Sequence, residues 1–179
     1  WVADPSDPDR VLDPRTSYVM THLMSEVTSV GTGAEAKNLK RAAAGKTGTT
    51  NDYMDAWFMG FTPQLTTGVW VGFDALRSMG NRGTGGTTAL PVWLDYMLEA
   101  VKPYPDVPFT LPQGVTMTYV SGTTGKLVNA TTPGAVKEAF ITGTEPQKGS
   151  GALRSSGANS AGGRQEDSQT GDFLKEDFQ

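Results

Sequence analysis

The 179 residues are 37% apolar and 19% charged, enough for one soluble domain with a sizeable core, and the formal net charge of −4 excludes the broad positive field that a nucleic-acid backbone or an anionic lipid surface would require. Cysteine is absent, which excludes disulfides, thiolate zinc sites and a cysteine nucleophile while leaving the compartment open. No apolar run approaches the roughly 18 residues of a membrane-spanning helix, and the opening WVADPSDPDR lacks the basic and apolar regions of a signal peptide, so a chain that begins on Trp1 is expected to be a fragment or a processed product.

Val19, Met20, Leu23, Met24 and Val27 recur at helical spacing and predict a helix over about residues 16–30, with Thr16 or Ser17 as its cap and Gly31 to Gly33 (GTG) as its stop. RAAAGKTGTT reads as a strand of small residues in which Lys46 and Thr50 share a face. DAWFMGF and TTGVWVGF flank the turn TPQL, with Trp57, Met59 and Phe61 alternating in one and Val69, Val71 and Phe73 in the other, which predicts an antiparallel hairpin. A glycine-rich loop, Gly80 to Thr88, precedes a second amphipathic helix that gathers Leu90, Trp93, Leu94, Met97, Leu98 and Val101 on one side, with Pro91 in its first turn. The proline-studded KPYPDVPFTLPQG is a linker, and VTMTYVSGTTGKLVN predicts a smaller hairpin. After Pro146 the chain is rich in Gly, Ser and polar residues and is expected to be disordered.

The triplet Gly45-Lys46-Thr47 admits two kinds of chemistry. A phosphate-binding loop needs a glycine five residues before Gly45, because that glycine allows the turn in which backbone N–H groups face the phosphates. Lys40 stands there and opens the run KRAAA, so the nucleotide reading fails at the residue that carries its mechanism. The alternative is Lys-Thr-Gly-Thr on an edge strand, the third element of serine acyltransferases that react with penicillin. There Lys46 would supply a cation for a substrate carboxylate, the Thr47 and Thr49 hydroxyls would donate to it, Gly48 would leave room for substrate backbone, and a backbone N–H near Thr49 could face a developing oxyanion. Alone, the tetrapeptide could equally be a lysine and threonines on a solvated strand edge.

Its surroundings carry a resemblance. AAAGKTGTTNDYMDAWFMGFTPQLTTGVWVGFD resembles, nearly residue for residue, the strand and hairpin that carry this motif in class A penicillin-binding proteins. GTGGTTALPVW is similar to the family's glycine-rich approach to its last core helix, TSYVMTHLMSEVTSVGTGAEAKNL to the helix and turn before the motif, and GVTMTYVSGTTGKLVNATTPGAVKEAFITGTEP to the element after the transpeptidase core. The resemblance covers about residues 11–146. It implies an α+β sandwich, an antiparallel sheet flanked by helices, divided into the C-terminal portion of a transpeptidase domain (1–110) and a small β-rich element (111–146), to which the composition adds a disordered tail (147–179). It also implies a peptidoglycan D,D-transpeptidase working through an acyl-serine, with substrate bound by Lys46, Thr47, Gly48 and Thr49, the Thr49 N–H in the oxyanion hole, and no cofactor. Its partners would be stem peptides, β-lactams and the preceding part of the same protein, on the extracytoplasmic side of a membrane and anchored upstream.

No serine of the 179 residues begins S-x-x-K or S-x-N, and no tyrosine begins Y-x-N, so the nucleophile is not in this chain and the chain alone is expected to be inactive. The remaining candidates are bland. His22 borders the apolar face of the first helix, Asp52 and Asp55 suit turn hydrogen bonding, Trp57, Trp70 and Trp93 suit core packing, and the acidic residues have no metal-cage spacing. Two other functions share the motif: a carboxypeptidase or β-lactamase relative that passes the acyl group to water, and a non-catalytic module that binds cell-wall peptide.

Overall fold

The computed structural model of the protein describes residues 10–146, so the tail expected to be disordered lies outside the described residues. The first helix, α1 (Pro14–Ser29), begins earlier than the sequence predicts, because its cap is Asp13 rather than Thr16 or Ser17. The Asp13 carboxylate accepts the Arg15 N–H at 2.8 Å, and Pro14 occupies the first helical position, where a missing N–H is no loss. The Arg15 side chain closes onto the same carboxylate, and that hydrogen bond holds the Asp13 pKa down to about 2. At the other end the N–H groups of Gly31 and Gly33 return to the carbonyls of Glu26 and Val27, at 3.2 and 3.0 Å, and stop the helix at the expected GTG. A 3-10 turn, Ala34–Leu39, then buries Ala36 and Leu39.

Three strands follow in an antiparallel meander: β1 (Ala44–Thr49), β2 (Asp55–Phe61) and β3 (Thr66–Gly72), with β1 at one edge. The expected hairpin is β2–β3; its turn is closed by the Thr62 N–H on the Leu65 carbonyl at 2.9 Å. A π-helical turn, Gly85–Ala89, leads into the second helix, α2 (Leu90–Ala100), so the second half of the glycine-rich loop is helical. Leu90, Trp93, Met97 and Val101 are buried as expected, whereas Leu98 faces outward.

The faces of the sheet correct one expectation. Trp57 and Trp70 are 43% and 44% exposed, on the open face, while Phe58 and Trp93 are fully buried. Helix α2 needs short residues beneath it: a Cβ on Gly60 would stand 2.7 Å from the Trp93 ring, and Ala56, Phe58 and Gly60 are the buried set of β2. Phe58 meets Trp93 edge-on at 5.0 Å between ring centroids, and the Trp93 Nε1–H donates to the Thr67 carbonyl at 3.2 Å.

The last element corrects another in part. The expected hairpin is present but short, since GKLVN returns to the end of β4 (Val115–Ser121) through the antiparallel bridge from Leu127 to Val120, and the main partner of β4 is β5 (Ala135–Ile141). This two-stranded sheet leans on α1, where His22 Nε2 lies 3.1 Å from both the Lys137 carbonyl and the Glu138 carboxylate. His22 is therefore a partly buried tie between elements.

Two outcomes are expected. The turn rests directly on the sheet, where a Cβ on Gly85 would stand 2.3 Å from the Trp57 carbonyl oxygen and 2.6 Å from that of Gly48. Gly85→Ala should therefore destabilise the protein by about 1–3 kcal/mol in denaturant unfolding, the usual range for overpacking; an unchanged midpoint would mean that the turn lifts freely. The Asp13 carboxyl has a folded pKa of about 2 against 3.8 for the free group, so its stabilisation is present above 3.8 and is lost as pH falls through about 2. Asp13→Ala should remove that part of the acid limb, read by helix amide exchange between pH 5 and 2, and superimposable curves would rule out the cap's contribution.

Candidate functional site

Strand β1 owes its position to small residues. Gly45 lies where a Cβ would come 2.7 Å from the Met59 carbonyl oxygen, and Ala44 is fully buried, so the strand sits close against β2 at its start and opens to solvent at Lys46. The Thr50 N–H donates to the Asp55 carbonyl at 3.0 Å, which sets the phase of the ladder. Antiparallel alternation then turns the backbone groups of Lys46 and Gly48 toward β2, and those of Thr47 and Thr49 toward the free edge. Among the described residues no strand pairs with that edge.

The side chains divide between the two faces and meet at the edge. Lys46 stands on the open face, and its Nζ curls back to donate to the Thr47 carbonyl at 2.9 Å. An ammonium has three donors, so two remain for an anion. Beside it Gly48 leaves the open face bare, with the Trp57 Cβ 3.2 Å from where its own would be. The Thr47 and Thr49 hydroxyls lie on the other face. Thr47 Oγ1 is 2.8 Å from Thr32 Oγ1, and Thr49 Oγ1 accepts the Gly85 N–H at 3.1 Å.

The turn after the strand is tight. Asp52 and Tyr53 both have left-handed backbone, with φ of 58° and 55°, a conformation that costs a residue of either kind about 1–3 kcal/mol. Two bonds from the following loop hold it: Ser78 Oγ donates to the Asp52 carbonyl at 2.6 Å, and the Met79 N–H to that of Tyr53 at 2.9 Å. Asp55 lies in β2, where its carboxylate accepts the Trp70 Nε1–H at 2.9 Å and its N–H donates to Thr50 Oγ1 at 2.8 Å. The two aspartates are thus hydrogen-bonded in the turn and the strand that continue from the motif. Among the described residues no three histidine or acidic side chains converge as a metal site would need.

Thr32, Ser78 and Gly85 carry no signal of this role in the sequence. They come from the GTG turn and the glycine-rich stretch with the loop before it, the segments that touch the motif from outside it.

Comparison with known proteins agrees with the motif. No protein-family model matches the chain. It is 44% identical over 138 residues to Penicillin-binding protein 1A of Pseudomonas aeruginosa, covering 76% of this chain and 17% of that protein. It is 40% identical over 180 residues to Penicillin-binding protein 1A of Neisseria meningitidis, covering 95% of this chain and 21% of that protein. The crystal structure of Penicillin-Binding Protein 1A from Haemophilus influenzae superposes with a TM-score of 0.69 at 31% identity, over 78% of this chain and 22% of that one. The chain belongs to the class A penicillin-binding proteins, as a segment of one, and it has their α+β fold of antiparallel strands flanked by helices. It spans about a fifth of the length of these relatives.

Gly45, Lys46 and Thr47 lie on an extended strand rather than in a loop that opens a helix, so no row of N–H groups is gathered around a phosphate. ATP with magnesium should accordingly give no saturable signal in calorimetry, and a binding isotherm abolished by Lys46→Ala would overturn the assignment of the strand.

Proposed function

We propose that this chain forms the carboxylate-binding wall of a serine D,D-transpeptidase that cross-links peptidoglycan stem peptides. One observation carries the proposal: Lys46, Thr47 and Thr49 bring an exposed ammonium, two hydroxyls and outward-facing backbone groups together along a free strand edge. A peptide laid antiparallel on that edge would take main-chain bonds from Thr47 and Thr49 and present its terminal carboxylate to Lys46. The Thr49 N–H, which points off the sheet, would then be one donor to the oxyanion that develops when a serine attacks the scissile carbonyl. That serine and its base are supplied by sequence outside these 179 residues, since no S-x-x-K or S-x-N lies within them.

In this reading residues 1–110 complete the transpeptidase domain, 111–146 form an appended β element, and 147–179 form a tail. The protein works on the extracytoplasmic side of a membrane, held by an anchor elsewhere in its sequence. β-Lactams would occupy the same edge, their carboxylate taking the place of the peptide's.

Fluorescent penicillin tests the proposal. The 179-residue chain should form no covalent adduct, and the full-length protein should be labelled at a serine outside it. In the full-length protein Lys46→Ala removes a charge-assisted contact of about 1.5–3 kcal/mol, which should slow acylation by roughly ten- to a hundredfold. Thr49→Ala should cost less, because its backbone N–H survives. Acylation of Lys46→Ala at the unmodified rate would make the lysine a bystander on a solvated edge.

A further inference from the structure

Thr32 lies outside the Lys-Thr-Gly-Thr strand, yet its hydroxyl is the partner of the Thr47 hydroxyl, 2.8 Å away across 15 residues of sequence. We propose that Thr32 is a positioning residue for anion binding: it donates its proton to Thr47 Oγ1 and so aims the Thr47 proton at a bound carboxylate. The inference rests on the reading of the strand edge as a carboxylate site.

The donor count leads there. A hydroxyl has one proton and two lone pairs. Thr49 Oγ1 already accepts the Gly85 N–H, so its own proton is free for a ligand. The Thr32–Thr47 pair has two protons and uses one between its oxygens, in either direction. If Thr47 donates to Thr32, its proton is lost to the ligand. If Thr32 donates to Thr47, the Thr47 proton is free, and accepting a bond makes its hydroxyl a stronger donor. Either arrangement leaves one proton free, and a carboxylate beside Lys46 favours the second, because that one puts the free proton on Thr47, the hydroxyl of the strand residue next to the lysine.

The backbone keeps Thr32 in place for this role. On one side the Gly31 and Gly33 N–H groups are bonded back to α1. On the other, Gly86 packs against the Thr32 carbonyl oxygen so closely that a Cβ there would stand 2.7 Å from it. Thr32 is also exposed, so its side chain is not required as core filling.

The test uses the full-length protein and two acylating probes, a penicillin with its free carboxylate and the methyl ester of the same penicillin. Thr32→Val keeps the shape and removes the donor. It should slow acylation by the carboxylate form about two- to threefold, because the bond from Thr47 to the carboxylate survives but loses the partner that orients and strengthens it, leave the ester rate and the melting temperature unchanged, and be rescued by Thr32→Ser. Equal slowing of both probes, or failure of Thr32→Ser to rescue, would make Thr32 a structural residue and overturn the proposal. Lys46→Ala serves as the reference. If it slows the carboxylate probe and Thr32→Val does not, the positioning role fails and the carboxylate site stands; if neither change matters, the site itself fails.

Discussion

The seat of Trp93 on Gly60 and Phe58 decides where everything else can go. A large indole buried over a residue without a side chain brings α2 close to the sheet, and its Nε1–H bond to the Thr67 carbonyl fixes where along the sheet the helix sits. The segment entering α2 then has no freedom to stand away. It is pressed onto the Gly48–Trp57 pair, where only a glycine fits, and this contact delivers the Gly85 N–H to the Thr49 hydroxyl. Core packing and the strand edge are therefore one arrangement: the residues that seal α2 also orient the motif.

A second constraint acts from the far end of the strand. Two consecutive left-handed residues without glycine are unfavourable in isolation, so the Asp52–Tyr53 turn persists because its carbonyls are held by Ser78 and Met79. The bonds between Thr50 and Asp55 close the same turn at its base. The motif is thus gripped at its inner face by Thr32 and Gly85 and at its end by this turn, while its outer edge stays open.

The strand, the β2–β3 hairpin and both helices were legible because each has a clear period bounded by glycine or proline. The facing of β2 was not. Alternation gives two phases, and choosing the phase with the larger residues puts Trp57 inside; the core takes the phase with Ala56 and Gly60 because a helix must approach. The cap of α1 was hidden because Asp13-Pro14 closes a polar, proline-rich opening ahead of the helical period that begins at Val19, although proline is well suited to a first helical position. GKLVN does bridge the end of β4, but the main partner, β5, was missed because GKLVN is nearer in sequence, and proximity is no guide once Ala130 to Gly134 can loop back. Lys46, Thr47, Gly48 and Thr49 could be named from sequence, but their supports could not, since Thr32 and Gly85 reach them through tertiary contacts alone.

This arrangement bears on how an acidic protein would hold an anion. The net charge of −4 on these 179 residues offers no long-range attraction from this segment, so in the proposed site the hold on a carboxylate would come from local donors. Donors held in place before a ligand arrives spare it the entropy of ordering them. On this edge the hydroxyls of Thr47 and Thr49 are held by partners outside the motif, and the backbone groups beside them are fixed by the sheet. In the proposed site only the Lys46 side chain would have to move, exchanging the Thr47 carbonyl for a ligand oxygen. An edge strand suits this division of labour, because the sheet makes one side rigid while the other keeps unpaired backbone groups and a mobile cation facing the space where a substrate would lie.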